Sequence, residues 1–72
     1  MLKKYYFIIL ALKGYRLISI KRNVVASINL SDKRYYFWYY ERPYKKLVQY
    51  DSCDSIDEAR FKWNILIKEV VD

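Results

Sequence analysis

Asp51, Asp54, Asp57 and Glu58 crowd four carboxylates into one short stretch, and the chain's single cysteine, Cys53, lies among them. Carboxylates at that density could hold calcium, but a calcium loop also needs a glycine at its sharp turn and a bidentate glutamate at its twelfth position. Counted from Asp51 that place is taken by Lys62, so the cluster reads as a turn followed by a helix cap, and no metal is expected. The charges of Asp51 and Asp54 should raise the Cys53 thiol pKa, the opposite of what a nucleophile needs. The chain has no histidine to act as base or ligand, and its only glycine, Gly14, cannot build a phosphate-cradling loop. No serine sits in a nucleophile elbow. The expectation is a non-enzymatic protein with no catalytic residue and no cofactor.

Binding chemistry is the better-supported class. Residues 1–50 carry eleven Lys and Arg against Asp32 and Glu41, a net +9, whereas residues 51–72 carry three against six acids, a net −3. Within the basic part, residues 35–40 read YYFWYY. In a strand, Tyr36, Trp38 and Tyr40 face one way and Tyr35, Phe37 and Tyr39 the other. Basic residues at Lys33, Arg34, Arg42, Lys45 and Lys46 flank these rings, and cations beside exposed aromatics are the means by which sheet platforms stack and hold single-stranded nucleic acid. The glycine-containing aromatic motif of such platforms is missing, so nucleic-acid binding is the second reading. A protein partner is the first, because Tyr, Trp and Arg are the usual interface anchors. Attachment to anionic membrane surfaces ranks third.

The elements that position these residues follow from punctuation. Lys13-Gly14, Lys21-Arg22-Asn23, Ser31-Asp32-Lys33 and Glu41-Arg42-Pro43 separate apolar runs rich in Tyr, Ile, Val and Phe, which is strand spacing and composition. The run Tyr5–Leu12 is apolar in both parities, as in a strand covered on both faces. It is too short to span a bilayer as a helix and has no small-x-small cleavage site, so a strand is expected there rather than a targeting segment. In the next clear run, Val24, Ala26, Ile28 and Leu30 alternate with Val25, Ser27, Asn29 and Ser31, the pattern of a half-buried strand. Pro43 cannot donate to a ladder and suits the bend of a hairpin between Tyr35–Glu41 and Tyr44–Tyr50.

From Ser55 the period changes. Ser55 and Glu58 fit a capping box, and Ile56, Ala59, Trp63, Leu66, Ile67 and Val70 share one face of a helix running to about Val71. Phe61 and Ile65 lie nearly opposite that stripe and have no destination inside a two-layer domain.

A chain of 72 residues is one small domain that buries only about 60% of the surface its unfolded form exposes, and it needs a staple. A lone cysteine closes no disulfide and fits a reducing, cytoplasmic setting. Oligomerisation remains. The expected fold is α+β, a small twisted antiparallel sheet of three to five strands with one C-terminal helix packed on one face. A second copy would shelter the other face, with Tyr36, Trp38, Tyr40, Phe61 and Ile65 as the dimer or partner interface.

The MLKKYYFIILALKGYRL opening, the YYFWYYERPYKKLVQY hairpin and the closing SIDEARFKWNILIKEVVD helix together resemble the YopT-type family of small uncharacterised proteins of Bacillus and its SPbeta-type prophage. The resemblance covers the whole chain. It implies a homodimer whose protomer has one helix and about three strands, prophage origin, and no assigned activity.

Overall fold

The computed structural model describes residues 2–69. The elements run α1 (Leu2–Leu12), β1 (Tyr15–Lys21), β2 (Val24–Asn29), β3 (Tyr35–Glu41), β4 (Lys46–Cys53) and α2 (Ile56–Glu69). The four strands form one antiparallel meander in the order β1-β2-β3-β4. The four predicted breaks fall at the connections, with Lys21 and Glu41 serving as the last residues of β1 and β3, and Arg42-Pro43 opens the β3–β4 turn as expected; the second hairpin arm runs Lys46–Cys53 rather than Tyr44–Tyr50, so Asp51 stands in a strand and not in a turn.

The first segment corrects the sequence reading. Residues 5–12 belong to a helix, so the described residues hold two helices rather than one. The two-sided apolarity that suggested a strand arises because α1 lays Tyr6 and Leu10, four residues apart and both fully buried, on the sheet while its other side is apolar as well. Gly14 ends the helix: it takes φ +88°, and the carbonyls of Ile9, Leu10 and Ala11 accept from the amides of Lys13 and Gly14 at 3.1–3.3 Å. A left-handed glycine just past the last turn is the common helix terminator.

Each helix covers one sheet face, which settles the parity of the aromatic strand. Under α1 lie Val25 and Trp38, with Tyr15, Leu17, Ile20, Tyr36, Tyr40 and Leu47 packed around them. Under α2 lie Ala26, Phe37, Cys53 and Ala59, with Tyr35, Trp63 and Leu66, and Trp63 stacks on Phe37 at 6.4 Å and 20°. The three-layer arrangement also corrects the half-buried reading of β2, whose Val24, Val25, Ala26 and Ser27 are all buried. Ser27 is fully enclosed. Its Oγ accepts from the Trp38 indole N–H at 2.8 Å and donates to the Tyr36 carbonyl at 3.2 Å, so its polarity is satisfied inside the core rather than by water.

The predicted α2 is present, and of its stripe Ala59 is buried, Trp63, Leu66 and Ile67 are half-buried, and Ile56 in its first turn is exposed. Val70 and Val71 lie outside the described residues. The cap is one-sided: the Ser55 hydroxyl accepts from the Glu58 amide at 3.0 Å, while the Glu58 carboxylate turns to Lys62 Nζ at 3.8 Å.

Candidate interaction surfaces

Three of the four acids of the cluster, Asp51, Asp54 and Glu58, are held in ion pairs. Both Asp51 oxygens accept from Lys62 Nζ at 3.0 Å, and Asp54 lies 3.6 Å from the Arg34 guanidinium. The Lys62 ammonium, helped by the Ser52 amide, holds the Asp51 carboxyl below its ordinary value. Among the described residues no group of three potential ligands is placed to hold a metal ion. Cys53 is buried, and its thiol is pushed up chiefly by that burial, with Glu58 and Asp51 adding to it. The direction agrees with the sequence expectation, but the leading cause is desolvation rather than neighbouring acids.

The aromatic candidates divide. Tyr36, Trp38 and Tyr40, expected at a dimer or partner interface, are covered by their own chain. Trp38 is 6% exposed and meets Tyr15 edge-on at 5.0 Å. Tyr40 packs against Tyr5 and Tyr6 at 5.7 and 5.6 Å, and the Tyr36 hydroxyl donates to Asp32 Oδ2 at 2.7 Å. The reason is α1, which occupies the face a second molecule was expected to cover. That placement also removes the open aromatic platform on which nucleic-acid bases were to stack. Phe61 and Ile65 are 67% and 42% exposed on the outer side of α2, where the helical period put them.

The surface that the sequence reading missed is the outward side of α1. Lys4, Phe7, Ile8, Ala11 and Leu12 are exposed, and they follow the i, i+3, i+4, i+7, i+8 spacing of a single helical stripe. Phe7, Ile8 and Leu12 are 56%, 47% and 80% exposed. A helix apolar all round is ordinarily covered all round. The signal was present in Tyr5–Leu12, where no residue is charged; reading it in a period of two concealed the two helical stripes.

A concavity lies between the β1 bulge and α2. Ile18 is the extra residue where β1 shifts register against β2. With Ala26, Tyr35, Phe37, Ile56 and Trp63 it lines an open groove of about 290 Å³ in which Arg60 is the charged residue.

The candidate cations also divide. Lys33 and Arg34 stand at the start of β3, beside Asp32 and Asp54, whereas Arg42, Lys45 and Lys46 stand at the other end of that strand. The register places the β1–β2 turn beside this second group, with the Tyr40 amide donating to the Asn23 carbonyl at 2.8 Å. The start of α1 joins them, its Tyr5 hydroxyl donating to the Lys45 carbonyl at 3.1 Å.

No family model, curated protein or solved structure matches the chain. The protomer implied by the YopT-type resemblance, one helix and about three strands, has fewer elements than the two helices and four strands of the described residues. No helix among them is long and apolar enough to cross a membrane.

Proposed function

We propose that the protein is a small non-enzymatic interaction protein that acts as a homodimer, paired through the outward stripe of α1, and binds a protein partner through its remaining exposed apolar side chains, Phe61 and Ile65 among them. One observation carries the dimer: α1 leaves Phe7, Ile8, Ala11 and Leu12 exposed to solvent while it lays Tyr6 and Leu10 on the sheet. A domain of this size gains from covering that stripe. A second copy supplies a self-complementary cover across a twofold axis. A relationship to the YopT-type family, and the prophage origin it implies, belongs to the same proposal and is supported by the three quoted segments.

Sedimentation equilibrium tests the reading. The wild-type chain should sediment at twice the 8.9 kDa of one protomer, and the Phe7→Glu/Leu12→Glu variant at once that mass with unchanged far-ultraviolet circular dichroism. A wild-type monomer, or a variant that remains dimeric, would overturn it.

A further inference from the structure

We propose that the end of the sheet formed by the β1–β2 and β3–β4 turns is a binding surface for the phosphate backbone of a nucleic acid. The inference is independent of the dimer. It keeps the partner class given second place by the sequence but moves it off the aromatic face, which α1 covers, to a place where stacking has no leading part.

Five cations converge there: Lys21 and Arg22 from the first turn, and Arg42, Lys45 and Lys46 from the second. All are exposed, and none takes part in an ion pair among the described residues. The two turns carry one carboxylate, Glu41, whose Oε2 accepts from the Tyr39 hydroxyl at 3.3 Å. By contrast, the opposite end of the sheet places Arg34 against Asp54 and gathers Asp32, Asp57 and Glu58. The excess of positive charge is therefore a property of one pole and not of the whole surface.

Backbone conformation adds a second observation. Arg22 and Lys45 both adopt left-handed φ, 56° and 50°, as Lys33 does at 62° between β2 and β3, at turn positions where glycine or asparagine is the unstrained choice. At this end of the sheet long cations occupy such a place in both turns despite that cost, and both are exposed. Tyr44 stands beside them, 71% exposed, with the Lys46 ammonium 5.7 Å from its ring centroid. The two turns are two strand spacings apart, about 10 Å, a span over which a nucleic-acid duplex presents about three phosphates per strand.

An anionic bilayer is the competing polyanion, and the geometry disfavours it. The apolar stripe of α1 lies on the outer side of a layer, whereas the cations stand on the turns at one end of the strands. A flat membrane cannot engage both at once, while a rod-shaped polyanion needs only the pole.

The test is fluorescence anisotropy of labelled single- and double-stranded oligonucleotides over a salt series. For the wild type, the logarithm of the binding constant should fall linearly with log salt, by about 0.7 per contacted phosphate on a single strand and about 0.9 on a duplex. Arg22→Gln/Lys45→Gln should shallow the slope by about two such contacts and weaken binding by about tenfold at low salt. Lys13→Gln/Lys33→Gln, which removes the same charge at the far end, should change binding less than about twofold. The wild-type salt slope needs no variant and stands even if one folds poorly. Undetectable oligonucleotide binding, equal weakening by both pairs, or capture only by phosphatidylserine vesicles would overturn the proposal. Anisotropy reads this pole and sedimentation reads the α1 stripe, so the two proposals fail separately.

Discussion

Ser27 on the sheet and Tyr6 on α1 are two buried polar side chains on the same side of the sheet, and they stand in opposite states. Ser27 links the Trp38 indole to the Tyr36 carbonyl, so Ser27→Ala leaves a buried N–H without an acceptor and should cost about 1–3 kcal/mol in chemical denaturation. The Tyr6 hydroxyl is buried with no partner among the described residues, and Tyr6→Phe should be neutral or stabilising in the same assay. Equal losses from both would contradict this description of the core. Asp51 sets a pH dependence. Because its folded pKa lies below the ordinary 3.8, its contribution is complete above that value and is lost as pH falls through the lowered folded value. Asp51→Asn should remove this part of the acid-induced loss of stability, measured as unfolding midpoint against pH. Single residues were the least legible level of the sequence. The serine of β2 looked solvent-facing because strand alternation records polarity and not whether a buried polar group has found partners.

Among the elements, the hairpin and α2 were legible because their signals are local: Pro43 excludes ladder pairing, and Ser55 caps the helix that follows. α1 was not, since Tyr, Phe and Ile favour strands and tertiary packing overrode that preference. Gly14 was the available clue, a lone glycine directly after Lys13 that ends a helix as readily as it turns a hairpin. Two substitutions test the assignment. Leu10→Ala, at a fully buried position of α1, should cost about 2–5 kcal/mol. Gly14→Ala should cost about 1–2 kcal/mol through left-handed backbone strain alone, because a Cβ there meets nothing within 4 Å; Gly14→Asn should recover part of it. A cost-free Leu10→Ala would mean that the segment does not cover the sheet.

At the scale of the molecule, the sequence argument ran from hydrophobic area to a missing cover, and it remains sound in part. Both faces of the aromatic strand do need shelter. The chain supplies it by spending a second helix on the face assigned to a partner, which transfers the uncovered apolar surface from Tyr36, Trp38 and Tyr40 to Phe7, Ile8 and Leu12. The charge asymmetry was legible as a net difference between the two parts of the chain. Its concentration at one pole was not, because that depends on a register joining residues 21–22 to residues 42–46. The central claim is that α1, and not another molecule, buries Trp38. The direct measurement is the emission of Trp38 in a Trp63→Phe background carrying the Phe7→Glu/Leu12→Glu pair. The account predicts blue-shifted, quencher-protected emission identical to that of the chain with its α1 stripe intact; a red shift with free access to iodide would contradict it.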